Sequence, residues 1–290
     1  MLDALQNAFF QTGDMLTSRL SAFSSFLWGW PLLILLLGTH LYLTVILRFP
    51  QRYLLKALKL YFVKDHTDKG DISPFSSLMV ALAANIGAGN IIGVGVAIAA
   101  GGPGAIFWCW LTGVLGMATR YSEGLLAIKY RVENKDGNMS GGPMFVLERG
   151  MKCKWLGVLF AFFTAIAAFG IGNLTQGNAA AEQLYHAFSI PAWGTATVLT
   201  ALTALVMLGG IRGIARVCAF FVPVMAVLYI LGCMYILIVQ ADYILPAIRY
   251  ILDCAFTGEA AAGGVVGAAV MTAMRTGVAR GLFSNEAGLG

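Results

Sequence analysis

The sequence has little charge. Only 11% of its 290 residues are Asp, Glu, Lys or Arg, whereas soluble domains carry about 25%. Charge is absent altogether from residues 20–47, 72–119, 155–181, 183–211 and 217–241. Since a membrane-spanning helix needs about 20 predominantly apolar residues, this scarcity argues against a water-soluble domain and indicates an all-α polytopic membrane protein.

Residues for metal or nucleophilic chemistry are also scarce. The five cysteines are scattered, without a Cys-x-x-Cys pair, and are interpreted as small packing residues. His40 and His186 have no acidic partner at a useful spacing, and no Ser-His-Asp arrangement is evident. We therefore expect neither an enzyme nor an organic cofactor. Glu123 and Glu182 lie near predicted helix ends, where snorkelling or an interface ion pair is expected.

The basic residues crowd a few segments. No recognition motif accompanies them, so cytoplasmic loops beside anionic headgroups explain them better than nucleic acid. With the N-terminus outside, the cytoplasmic segments are residues 48–74, 120–154, 210–216 and the region after Met274. These segments hold every Lys and Arg except Arg19 and Arg249. The sequence therefore predicts an N-out, multi-pass orientation.

The apolar runs predict seven spanning helices, near residues 28–47, 75–100, 105–128, 155–184, 192–209, 214–239 and 262–280. A Gly-Gly-Pro-Gly turn at residues 101–104 separates the second from the third. Residues 1–27 form an extracytoplasmic segment, either an amphipathic helix on the outer surface or a flexible tail. Residues 48–74 are expected to be a basic cytoplasmic loop.

A glycine cluster lies inside the second predicted helix, in ALAANIGAGNIIGVGV, residues 81–96. A dinucleotide-binding loop would need a preceding strand and an acidic residue about 20 residues later. Apolar runs of membrane length flank these glycines instead, which argues against such a loop. Two interpretations stay open. The glycines let helices pack closely, or the helix unwinds at Gly87–Gly89 and its freed backbone groups bind a substrate carboxylate and a cation. Asn85 and Asn90 would add oxygen ligands for that cation.

Two further segments bear on this choice. AAGGVVGAAV, residues 261–270, puts a second glycine cluster at the start of the seventh predicted helix, five spans after the first. Paired interrupted helices of opposite direction are typical of inverted-repeat transporters, although the abundance of glycine is a competing explanation. GIGNLTQGNAA, residues 170–180, carries four hydrogen-bonding side chains, which serve either interhelical bonds or a substrate-facing wall with Gln176 as its best candidate.

Five motifs carry a family resemblance. They read NIGAGNIIGVGVAIAAGGPGAIFW, GMATRYSEGLLAIKYR, GGPMFVLERG, GNLTQGNAAA and ARGLFSNEAGLG. In this order they resemble the alanine or glycine:cation symporter family, also called the sodium:alanine symporters. The resemblance covers the chain from about residue 15 to its end. It implies a plasma-membrane (inner-membrane) carrier that takes up alanine or glycine with sodium by alternating access. Sodium is the coupling ion, and no further cofactor is implied.

The resemblance also implies a fold. Members have a LeuT-like (APC-type) inverted-repeat fold with one extra N-terminal helix. Here the extra helix would be residues 28–47, the first five-helix repeat 75–240, and the start of the second repeat 262–290. Members continue beyond the NEAGLG motif with four more helices, so we expect the fold to be incomplete and the chain not to transport alone.

Site residues carry over by motif. The implied substrate-binding residues are Gly87, Ala88, Gly89, Gln176, Gly263, Gly264, Val265 and Gly267. The expected cation ligands are Ala83, Asn85, Ile86 and Asn90. Many members have Thr in place of Ala88, and some have an aromatic residue near Val265. The alternative hypothesis is a channel-like or structural membrane protein whose glycines serve packing only. Alanine against glycine, sodium against proton, and the oligomeric state are left open.

Overall fold

The computed structural model describes residues 2–61, 72–135, 137–257 and 266–289, and these ranges are almost entirely helical. The N-terminal part contains α1 (Leu2–Leu27), α2 (Trp30–Ile46), a 3₁₀ turn (Pro50–Tyr53) and α3 (Leu54–Leu60). The next part contains α4 (Pro74–Asn85), α5 (Ala88–Gly101) and α6 (Gly104–Lys129).

A short antiparallel hairpin of β1 (Val132–Glu133) and β2 (Met139–Ser140) follows α6. It leads to α7 (Pro143–Phe145), a π-helical turn (Val146–Gly150) and α8 (Lys154–Ala168). A second π-helical segment (Phe169–Leu174) joins α8 to α9 (Thr175–Phe188). The remaining helices are α10 (Ala192–Met207), α11 (Gly210–Val239), α12 (Ala241–Thr257) and α13 (Val266–Asn285).

The surfaces of these helices are suited to lipid. Three helical stretches of the described chain are long and apolar enough to cross a membrane, Gly13–Ile46, Pro74–Gly101 and Gly210–Val239. In α11 the buried residues are Ala215 and Val222, while most of its large apolar side chains are exposed. Apolar surface of this extent is not found on soluble monomers, so the chain is an integral membrane protein.

The core lies between α2, α6 and α13. Leu33 and Leu36 of α2 form a buried cluster with Val278 and Leu282 of α13, and α6 packs along both helices. Close approach depends on small residues, as is usual between membrane helices. A β-carbon built on Gly281 of α13 would meet Thr112 of α6 at 2.9 Å.

A buried polar contact joins α2 to α6. His40 is fully buried, and its Nδ1 lies 2.7 Å from Thr119 Oγ1. One helical turn later, Thr44 Oγ1 donates a longer bond, 3.4 Å, to the Leu115 carbonyl. Polar groups buried without a partner are costly, so these bonds fix how α2 lies on the bundle.

Replacing Thr119 with Val is therefore expected to destabilise the protein by about 1–3 kcal/mol. It removes the partner of His40 Nδ1, and Nε2 of the same buried ring already has none among the described residues. Thr119→Ser keeps the hydroxyl and should change stability much less. Thermal unfolding of the two variants in detergent is the measurement. Equal losses for Val and Ser would show that the methyl group matters and the hydrogen bond does not.

Three expectations need correction. Residues 48–74 are not simply a loop, since the 3₁₀ turn and α3 occupy residues 50–60. A helix over residues 241–257, α12, was not predicted, because Asp242, Arg249 and Asp253 interrupt its apolar run. The seventh helix was predicted to end near residue 280, whereas α13 continues to Asn285 and packs along α6. Arg280 consequently lies within a helix that packs against its neighbours.

Candidate functional site

The helix predicted over residues 75–100 is broken. α4 ends at Asn85 and α5 begins at Ala88, so Ile86 and Gly87 separate two helices. The Ile86 N–H closes the last turn of α4 on the Leu82 carbonyl at 2.8 Å, and Gly87 is extended. The break therefore starts one residue before the predicted Gly87–Gly89 stretch, because Ala88 and Gly89 already form the first turn of α5.

The N-terminus of α5 is capped from another helix. Gly87 has no side chain to offer, and the Gly89 N–H instead donates to Gln176 Oε1 at 3.1 Å. Gln176 lies in the first turn of α9, directly after the π-helical segment. N–H groups at a helix N-terminus lack intrahelical acceptors and favour negative charge. The Gln176 oxygen therefore occupies a position where a carboxylate oxygen would be stabilised.

Glycine at position 87 is needed here for space. Its backbone angles, φ −103° and ψ 159°, are open to any residue. A β-carbon at Gly87 would meet Gln176 Nε2 at 2.8 Å, and one at Gly89 would meet the same atom at 3.0 Å. These two glycines leave the room that the Gln176 amide uses to reach the backbone of α5.

The C-terminus of α4 is capped by Asn90. Its Nδ2 donates to the Ala84 carbonyl at 3.1 Å and to the Asn85 carbonyl at 2.8 Å. Because both neighbours are acceptors, the nitrogen of this amide must face them. Asn90 Oδ1 carries no hydrogen bond within the described ranges, so it retains the capacity to bind a cation.

Within the described ranges, three cavities adjoin the break. The largest, about 710 Å³, is lined among others by Ala83, Gly87, Gln176, Arg280 and Glu286. The second, about 300 Å³, is lined among others by Asn85, Ile86, Asn90, Arg280 and Tyr229. The third, about 410 Å³, is lined among others by Gly89, Thr175, Asn178, Glu182 and Arg280. Arg280 is common to all three.

The structure brings together part of the predicted substrate site. Gly87 and Gln176 line the largest cavity, Gly89 lines the third, and Ala88 lines none of these three. The other predicted substrate residues are in the glycine cluster before and within α13. Gly263, Gly264 and Val265 lie outside the described residues, and Gly267 lies in the first turn of α13.

The predicted cation ligands divide between two cavities. Asn85, Ile86 and Asn90 line the 300 Å³ cavity, whereas Ala83 lines the 710 Å³ cavity. Among the residues that the structure describes, no group of three or more His, Cys, Asp or Glu could hold a metal ion. Any cation bound near the break would therefore depend on carbonyl and amide oxygens, which are hard ligands.

Sequence reasoning missed Arg280, which it counted as a cytoplasmic charge. Arg280 lies beside Gly93 of α5, where a β-carbon would meet Nη1 at 3.4 Å. A signal for this placement was present: Gly277 and Gly281 form a Gly-x-x-x-Gly pattern on either side of Arg280, which is typical of helix packing.

The end of α13 is tied to α6 by charge. Arg120 pairs with Glu123 and with Glu286, each at 3.3 Å. The Gly288 N–H donates to Glu123 Oε1 at 2.8 Å. Of the two roles expected for Glu123, snorkelling or an interface ion pair, the structure shows an ion pair, with Arg120, and the bond to Gly288 ties the NEAGLG motif to α6. No such partner is found for Glu182 in the described part of the chain.

Comparison with known proteins matches the chain to one family and to several transporters. The sequence model of a family described as the sodium:alanine symporter family matches residues 13–290. An uncharacterized transporter of Haemophilus influenzae is 53% identical over 275 residues, covering 94% of this chain and 60% of that protein. The sodium/alanine symporter AgcS of Methanococcus maripaludis is 50% identical over 280 residues, covering 94% of this chain and 61% of that protein.

A more distant relative is the amino-acid carrier protein AlsT of Bacillus subtilis, 35% identical over 268 residues, which cover 92% of this chain and 56% of that protein. The chain thus spans about 60% of the length of the Haemophilus and Methanococcus relatives.

Proposed function

The chain belongs to the sodium:alanine symporter family, a family of transporters and not of enzymes, and from this premise we propose that the protein carries small neutral amino acids across the membrane with sodium. The observation that carries the proposal is the break between α4 and α5, where the backbone of Gly89 is bound by the Gln176 amide. A break inside an apolar helix persists only where it lines a cavity, and three cavities adjoin this one.

The substrate carboxylate is proposed to bind at the N-terminus of α5. Backbone N–H groups and the helix dipole favour an anion there. The Gln176 oxygen, a neutral acceptor, holds the Gly89 N–H in this structure, and a carboxylate would take over this bond as the stronger, charged acceptor. Gln176 would then be free to hydrogen-bond the bound amino acid.

Packing alone does not account for these glycines, which weighs against a channel-like or structural protein. Gly87 and Gly89 are covered by the end of a side chain, the Gln176 amide. By contrast, a β-carbon on Gly104 would meet the Cys254 backbone at 2.6 Å. Glycines of the second kind serve close helix approach, whereas those at the break leave space inside the site.

Sodium is proposed to bind at the end of α4. Ile86 and the capping residue Asn90 face the 300 Å³ cavity together with Asn85, and carbonyl and amide oxygens suit a hard cation. Ion and substrate sites at the two sides of one break would couple through the relative position of α4 and α5. Alternating access requires that each ligand favour the state that the other binds.

The wider architecture is proposed from the family resemblance. It comprises a LeuT-like inverted repeat, an extra N-terminal helix over residues 28–47, a first repeat over 75–240 and the beginning of a second over 262–290. The N-terminus would lie on the outer side of the inner membrane, and residues 48–74 and 120–154 would lie on the cytoplasmic side. Alanine, which the family description names, and glycine are the proposed substrates.

Uptake of labelled alanine into proteoliposomes tests the proposed function. The chain alone is expected not to transport, so this and every later uptake experiment uses the chain extended by the part of the Methanococcus relative that it does not cover, since it covers 61% of that protein. In the extended protein an inward sodium gradient should drive accumulation of alanine and of glycine, and an inward potassium gradient of equal size should not. Equal uptake under the two gradients would contradict sodium coupling, and sodium-driven uptake of neither amino acid would contradict the substrate class.

Asn90 offers a separate test of the cation site. Asn90→Ala removes both the cap on α4 and Oδ1, and we expect it to raise the sodium concentration for half-maximal uptake by about 10-fold, the effect of roughly one strong hydrogen bond or ligand contact. Asn90→Asp retains an oxygen ligand but cannot donate to the Ala84 and Asn85 carbonyls. If Asp restores the sodium response, Oδ1 is a ligand; if Asp is as impaired as Ala, Asn90 acts only as a cap.

A further inference from the structure

Arg280 is half-buried between helices. Three residues before it, Gly277 packs against Ala105 and Trp108 at the start of α6, and one residue after it, Gly281 packs against Thr112. On the α5 side, the Arg280 guanidinium lies beside Gly93. These neighbours belong to the uncharged stretch 72–119, so Arg280 is a charge within the apolar layer. Ionisable residues at such positions are costly and are usually functional.

The guanidinium has no anionic partner within residues 2–61, 72–135, 137–257 and 266–289. It lies near the Phe283 ring, with Cζ 5.9 Å from the ring centroid. Glu286 lines the same large cavity but is already paired with Arg120. A half-buried charge without a partner is poorly compensated, so a counter-charge is expected to reach Arg280 in another state of the protein.

Glu182 is the acid best placed to be that counter-charge. It lies on α9, where its side chain is exposed, and lines the 410 Å³ cavity together with Arg280. It has no hydrogen bond or ion pair in the described part of the chain. Gly89 also lines this cavity, and its N–H is the group held by Gln176. An approach of α9 and α13 across the cavity would therefore close it directly over the N-terminus of α5.

We propose that Glu182 and Arg280 form an ion pair that closes the gap between α9 and α13, and that this pair must open for a carboxylate to reach or leave the N-terminus of α5. This role as a gate rests on the proposed transport function. When the cavity is closed, the two opposite charges are in contact. When the cavity is open, each charge is hydrated separately. Gly93 provides the space that lets the guanidinium swing between these positions.

Charge reversal tests the pair. Glu182→Arg and Arg280→Glu should each lower sodium-driven alanine uptake at least 10-fold, and the double variant should recover to within about 3-fold of the unmodified protein. Arg275→Glu is the matched control on the same helix, because Arg275 lines none of these three cavities, and Glu182→Arg should not rescue it. A double variant no better than the single ones, with all three intact by size-exclusion chromatography, would overturn the proposal.

Cross-linking tests the contact without relying on transport. In a variant whose five native cysteines are replaced, Glu182→Cys and Arg280→Cys together should be joined by a short bifunctional methanethiosulfonate, and saturating alanine should change the yield. The pair Glu182→Cys and Arg275→Cys is the control and should react less. A yield no higher than that of the control would contradict the ion pair. Cross-linking in a protein that shows no sodium-driven uptake would uphold the contact and contradict only the transport function.

Discussion

Replacing Gln176 with Ala is expected to lower sodium-driven alanine uptake by about 10- to 100-fold, equivalent to about 1.4–2.8 kcal/mol. The substitution removes the acceptor that holds the Gly89 N–H and the amide proposed to contact the bound amino acid. A site built around a hydrogen-bonding group loses much of its affinity when that group is removed, because the partners of the group are left unpaired. Initial uptake rates in proteoliposomes over a range of alanine concentrations are the measurement.

Two further variants make this result specific. Gln183→Ala, on the exposed side of the same helix, should leave uptake unchanged and controls for a general effect on α9. Gln176→Glu should be at least as impaired as Gln176→Ala, because its carboxylate would compete with the substrate for the N-terminus of α5. Unchanged kinetics in Gln176→Ala would remove Gln176 from the site.

The break in the second predicted helix could be anticipated because its cause is local. Gly87 and Gly89 weaken the helix at a point where an apolar sequence would otherwise continue. Its start was misplaced by one residue and its end by two, because the contact that sets them is not local: the Gln176 amide is 87 residues from Gly89 in sequence. Polarity singled out Gln176 as a candidate wall residue, but only the structure gives the atom that it binds.

Arg280 and α12 were missed for a different reason. The count of Lys and Arg per segment assumes that each basic residue lies in an aqueous segment. A single arginine between helices hardly changes that count, so it goes unnoticed. The clue was the small-residue spacing of Gly277 and Gly281, which continues the packing face of α13 past the charge. In α12, the charges lie on an amphipathic helix whose Cys254 and Ala255 are buried against the bundle, so a search for uncharged runs cannot find it.

Two groups of glycines in the chain thus have different consequences. Those at the break are covered by a movable side-chain amide, so a methyl group there would displace Gln176 and disturb binding. Gly104 and Gly277, at helix crossings, face backbone atoms that cannot move independently of their helix. Substitutions in the first group should change transport more than stability, and substitutions in the second should do the reverse.

Gly277→Ala is accordingly expected to destabilise the protein by about 2–3 kcal/mol, a fall in the unfolding temperature of about 5–10 °C. The new methyl group would press on the Ala105 carbonyl and lie 2.7 Å from Trp108 Cβ, and both atoms belong to α6, the helix at the centre of the bundle. Relief would require α13 to move away from α6, which would also loosen the buried contact of Val278 and Leu282 with α2.

Gly113→Ala is the matched control for this prediction. Gly113 lies in α6, and a β-carbon there has no atom within 4 Å, so the same change should be neutral or stabilise the helix by up to about 1 kcal/mol. Thermal unfolding of both variants in one detergent measures the difference. Equal unfolding temperatures would show that α6 and α13 are not held in close contact at Gly277, and the position of Arg280 beside Gly93, which depends on that contact, would then be wrong as well.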